Sequence, residues 1–225
     1  MKKSLVTLMM LVFVVSTMFA VDRVQKNGVP SFKPTTVDRK KMDVNTISAW
    51  YRNDGEFFSD HSTTGPGFEW PKGGGVYAIF SSSMWIGAKV KNSEDTTKKE
   101  IRVGTVGHFF SEFRPGVMLS DGTADDYTKS KYRYYKVKPN EDTRFTNPDF
   151  AEWPVDEGAP FADLDNDGIY NPAVDKPALT WGDDIVYPDM MMFSVYNDAD
   201  EAYHTGIWGK TKLLGAESRQ LSWAY

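Results

Sequence analysis

From residue 47 onward, apolar and polar residues alternate with a period of two in one short segment after another, separated by turn residues. In residues 84–91, Ile86, Ala88 and Val90 alternate with Gly87, Lys89 and Lys91. That pattern predicts a strand with apolar groups on one face and lysines on the other. Its simplest partner is residues 76–80, joined to it through Ser81, Ser82 and Ser83. Residues 101–110 continue the theme, with Ile101, Val103 and Thr105 opposed to Arg102, Gly104 and Val106. Further strands are predicted over 132–138, 190–196, 206–214 and 217–225, with one short helical turn near 198–204. The pattern therefore predicts a mainly β domain over residues 46–225: an antiparallel, sandwich-like arrangement with long irregular loops.

Two stretches break the alternation. Residues 52–75 and 139–188 lack a period of either kind, and five of the twelve prolines lie between Pro148 and Pro177. Loops this long within a domain are usually functional or organised by a ligand. Residues 221–225 still alternate and no polar tail follows, so further protein is expected downstream. At the other end, Lys2 and Lys3 precede an apolar run from Leu5 to Phe19 and the small residue Ala20, the layout of a secretory signal peptide over residues 1–20. The run is shorter than the ~20 residues a membrane-spanning helix needs, so cleavage is expected and no membrane span remains afterwards. Residues 21–45, with Pro30, Pro34 and the basic cluster Arg39, Lys40 and Lys41, read as a linker or N-terminal arm.

Charge and composition narrow the partners. Loss of Lys2 and Lys3 with the signal moves the formal net charge from −5 to −7. An acidic exported chain is poorly suited to nucleic acid or anionic lipid. With no cysteine, disulfides, thiolate metal sites and cysteine nucleophiles are excluded.

One loop carries a specific chemical signal. Asp163, Asp165 and Asp167 occupy alternate positions and Gly168 follows at the sixth, the spacing by which oxygen ligands wrap around calcium. The carbonyl of Ile169 falls at position seven and Asn171 at position nine, while Val174 stands where a bidentate acid is usual and Asp175 follows it. A slightly altered loop would bring Asp175 to the ion. Pro160, Pro172 and Pro177 disfavour the flanking helices of an EF-hand, so the closer analogy is a helix-poor loop of the dockerin or thrombospondin type 3 kind. The competing reading is a set of Asx turns that holds no metal.

The remaining candidates are weaker. Trp70, Trp153 and Trp181 lie in loops beside Pro71, Pro154 and Gly182 and are candidates for stacking on a sugar, against the commoner role of packing. Trp85 and Trp223 sit within alternating strands and are expected in the core. His61, His108 and His204 are far apart in sequence, show no HExxH spacing, and read as surface or hydrogen-bonded sheet histidines rather than zinc ligands. Ser81 to Ser83 lack the context of a nucleophile elbow, and Gly73 to Gly75 lack the Lys-Ser or Lys-Thr of a phosphate loop.

Residues 47–55 with Trp50 and Tyr51, residues 67–73 with Trp70-Pro71, residues 85–88, residues 153–160 and residues 196–201 together resemble the N-terminal region of large secreted proteins of Bacteroidetes- and Ignavibacteria-like bacteria. Such proteins often end in a type IX secretion sorting domain, which is not among these 225 residues. The resemblance implies export and a multidomain surface architecture, and brings no catalytic residues with it. The expected function is a non-catalytic secreted or cell-surface module with a calcium loop, with an extracellular glycan, a surface protein and further domains of its own chain as partners. The alternative is a carbohydrate-binding or accessory domain of a secreted hydrolase.

Overall fold

The computed structural model describes residues 37–92, 94–108, 110–182, 184–204 and 211–225. The signal peptide, most of the linker and Trp208 lie outside the described residues. The first sheet begins with β1 (Arg39–Met42), which pairs along its whole length with β2 (Ser48–Arg52). The basic cluster placed in the linker is thus an edge strand of the domain, and Met42 is buried beneath it. Next come β3 (Glu56–Phe57), the small hairpin of β4 (Ser59–Asp60) and β5 (Gly65–Pro66), then β6 (Phe68–Glu69), β7 (Tyr77–Ile79) and β8 (Ser82–Ser83). The order in this sheet is β7-β6-β2-β3-β8, with β1 also on β2.

The expected pairing of residues 76–80 with 84–91 does not form. β7 pairs β6, and the serines, expected to be a turn, become β8 against β3. β9 (Trp85–Lys91) instead pairs in seven-residue register with β10 (Lys99–Gly107), whose end folds back onto β11 (Phe110–Ser111). A long regular ladder outweighs the shorter local hairpin, because it satisfies more backbone groups at once. The faces of β10 also differ from expectation. Ile101 is 78% exposed, whereas Gly104 and Val106 point inward. Phe113 fills the space over Gly104. Arg102 on the half-buried face is kept by the Glu100 carboxylate at 2.5 and 2.8 Å and the Leu213 carbonyl at 2.5 Å.

The core is built on one strand. After β12 (Arg114–Pro115) and β13 (Tyr135–Val137) come a one-turn helix α1 (Pro148–Ala151) and two short ribbons. These ribbons are β14 (Phe161–Ala162) with β15 (Lys176–Pro177), and β16 (Leu179–Trp181) with β17 (Asp184–Val186). Then β18 (Met190–Asn197) runs through the centre, buried at all eight positions, with β13 and β12 on one side and the eight-residue ladder of β19 (Glu217–Ala224) on the other. The period of two divides its side chains. Met191 and Phe193 pack with Tyr135, Phe150, Trp153 and Leu179, while Met190 and Met192 pack on the opposite face with Met42, Tyr134 and Ala224. Such two-sided burial explains why this strand reads as a continuous apolar run. Every strand pairing among the described residues is antiparallel, in keeping with the expected fold class. Residues 198–204 contain a 3₁₀ turn, Glu201–Tyr203, and residues 211–214, the described part of the expected strand 206–214, are irregular.

Candidate metal centres

The aspartate loop is held at both ends by secondary structure. Residues 163–175 connect β14 to β15, whose pairing of Phe161 with Pro177 and Ala162 with Lys176 closes the loop at its base. Tyr170 anchors the middle: its ring meets Phe161 edge-on at 5.5 Å and its hydroxyl donates to the Phe150 carbonyl at 2.7 Å, within the main core cluster. Asn166 and Gly168 take positive φ values of 59° and 76°, conformations that glycine and asparagine adopt most readily.

Within that frame the carboxylates have distinct tasks. Asp175 is fully buried, and its Oδ1 and Oδ2 accept from the backbone N–H groups of Leu164 and Asn171, both at 2.8 Å. Asp163 accepts from the N–H of Asp167 at 3.2 Å and of Gly168 at 2.8 Å. Asp165 is exposed and stands beside both. One oxygen from each of Asp163, Asp165 and Asp175 lies within 4.8 Å of the other two. Asp175 is thus brought beside the first two acids of the loop. Desolvation, followed by the charges of Asp167, Asp175 and Asp163, raises the Asp165 carboxyl above its ordinary range. Asp167 and Asn171 each turn a side-chain oxygen to local backbone, accepting from Ile169 at 2.8 Å and Ala173 at 3.0 Å, and the Ile169 side chain is 68% exposed. These hydrogen bonds are of the Asx-turn type. The convergence of three carboxylates is the feature such turns do not by themselves require.

A second cluster was not legible from spacing. Glu56 on β3, His61 between β4 and β5, and His108 just after β10 place ligand-type atoms within 4.8 Å of one another. The histidines that are far apart in sequence come together, with ring centroids 5.3 Å apart. His61 Nε2 lies 2.8 Å from Glu56 Oε2, and His108 Nδ1 lies 3.2 Å from Glu56 Oε1 and 2.8 Å from Ser59 Oγ. Burial opposes ionisation of Glu56, but the hydrogen bonds of His108 and His61 and the Arg52 charge outweigh it and bring its carboxyl down to about 2. His204, by contrast, is a satisfied core histidine, 2.8 Å from the Asp198 carbonyl and 2.9 Å from Thr211 Oγ1.

The tryptophans divide. Trp153 is 3% exposed, packs edge-on against Tyr135 and Phe193, and donates its ring N–H to the Pro160 carbonyl at 2.9 Å. No face is left for a ligand, so its candidate binding role is corrected to loop anchoring. Trp70 and Trp181 are 56% and 57% exposed. Trp85 and Trp223, expected inside, are 67% and 42% exposed, because β9 and β19 present those positions to solvent.

No family model, curated protein or solved structure matches the chain. Among the described residues, no helix is long and apolar enough to cross a membrane.

Proposed function

We propose that this chain is a non-catalytic, exported or surface-located module in which calcium orders the loop at residues 163–175. The reading is carried by the convergence of Asp163, Asp165 and Asp175 at the mouth of the β14–β15 ribbon. Calcium takes six to eight oxygens, so the ion draws further on the Ile169 carbonyl, on Asn171 and Asp167 after small rotations, and on water. Binding offsets the mutual repulsion of the acids and fixes the ribbon to the core through Tyr170. The role is structural or adhesive. Melting of the folded chain in millimolar calcium and in chelator tests it. A rise in Tm with calcium supports the reading, and coincident melts argue for a simple turn cluster. Export rests on the N-terminal pattern of Lys2, Lys3 and the apolar run, and sequencing the secreted protein is expected to find a start near Val21 rather than Met1.

A second reading, carbohydrate contact, is favoured by the exposed pair Trp181 and Trp223, whose rings lie 6.3 Å apart. Their planes meet at 71°, which grips a sugar edge rather than offering a flat platform. Glycan-array binding that vanishes in Trp181→Ala would support it.

A further inference from the structure

We propose that Glu56, His61 and His108 form a second cation site, for a divalent first-row metal of the zinc type, separate from the aspartate loop. Two imidazoles and one carboxylate are a borderline-soft donor set that suits zinc and leaves a position for water, whereas calcium prefers oxygen alone. Tetrahedral zinc, with ligands at about 2.0–2.2 Å, holds its donors roughly 3.3 Å from one another. The observed separations of 2.8 Å from His61 Nε2 to Glu56 Oε2 and 3.2 Å from His108 Nδ1 to Glu56 Oε1 both fall short of that value, so the donors must spread by a few tenths of an ångström to admit the ion.

The scaffold is also built as a site requires. The Glu56 side chain is 2% exposed, and the β3–β8 pairing with Ser83 sets the backbone position from which it projects. His61 and His108 retain 25% and 15% side-chain exposure, which gives an ion a path from solvent.

Arg52 is the element that such a site must accommodate. Its Nη1 lies 2.6 Å from both Glu56 Oε2 and His61 Nε2, making a nearly equilateral triangle with the 2.8 Å contact between those two acceptors. The two N–H bonds of a guanidinium nitrogen diverge by about 120°, far more than the angle the acceptors subtend, so one nitrogen cannot serve both well. A divalent ion between Glu56 Oε2 and His61 Nε2 relieves that conflict. Arg52 keeps a separate hold through Nη2, 2.6 Å from Asp54 Oδ2, so Nη1 can withdraw while the guanidinium remains anchored. Zinc therefore competes with Arg52, and affinity depends on both histidines.

The test is zinc uptake by the full chain against a chromophoric chelator, in millimolar calcium so that the aspartate loop is occupied. One ion per chain is expected, with at least tenfold weaker uptake in His61→Ala and in His108→Ala and no change in Asp165→Ala. Cobalt in place of zinc should give visible d–d bands that the histidine variants lose. If a variant fails to fold, histidine side-chain NMR of the wild-type chain reads the same claim: zinc should shift two of the three imidazoles and spare buried His204. Absence of saturable uptake, uptake undiminished in the double histidine variant, or zinc shifts at His204 alone would overturn the proposal.

Discussion

Replacing Asp175 separates the loop's architecture from its ion chemistry. The side chain is fully buried and accepts two backbone N–H groups, from Leu164 and Asn171, each at 2.8 Å. Hydrogen bonds to a charged group contribute about 1.5–3 kcal/mol each, and part of that is recovered when the freed N–H groups reach water. Asp175→Ala is therefore expected to cost about 2–4 kcal/mol in chelator, before any metal is considered. For a chain of this size the loss lowers Tm by roughly 5–15 °C. Asp165→Asn is the matched control. Asp165 is exposed, and its carboxyl is raised by desolvation and by repulsion from Asp167, Asp175 and Asp163. Removing that charge leaves the chelator melt unchanged or slightly higher, yet abolishes the calcium response. Differential scanning calorimetry of the three proteins, with calcium and with chelator, reads both effects. Equal chelator melts for wild type and Asp175→Ala would refute the division of labour, as would equal losses in the two variants.

Other outcomes follow from the core. Trp153→Ala should destabilise by about 3–5 kcal/mol in denaturant titration, whereas Trp181→Ala should stay within about 0.5 kcal/mol; similar effects would mean that the core assignment of Trp153 is wrong. Burial raises the phenol of Tyr132 to about 12, with the Asp125 contact adding to it, and also raises Tyr134, Tyr170 and Tyr196. The unfolded chain ionises near pH 10 and the folded one later, so stability is intact below about pH 10 and falls as pH rises toward 12. Absorbance at alkaline pH should show these tyrosines ionising together with unfolding, and a single early titration of all eleven tyrosines would contradict it.

Much of this architecture is legible in the residues. The strands near β18 and β19 follow from alternation and a continuous apolar run, and the aspartate loop from acid spacing with Gly168. The approach of Asp175 to Asp163 and Asp165 is also anticipated by the sequence reading. The rest depends on long-range pairing. β10 turns Ile101 outward because Glu100 and the Leu213 carbonyl satisfy Arg102 on the other face and Phe113 fills the room over Gly104. Local alternation counts apolar residues and cannot see either partner. Likewise, Glu56, His61 and His108 meet only because β3, the β4–β5 hairpin and the end of β10 converge, and no spacing along the chain encodes that meeting. The serines that read as a turn became β8 because a free strand edge stood at β3.

Calcium titration of the folded chain by calorimetry tests the central claim most directly. One ion should bind with a Kd of about 10⁻⁴–10⁻³ M, the range of extracellular modules, and Asp165→Ala should lose that binding while keeping its far-ultraviolet spectrum. Titration of the folded wild-type chain to well above millimolar calcium with no saturable uptake, or uptake that survives in Asp165→Ala, would contradict the account.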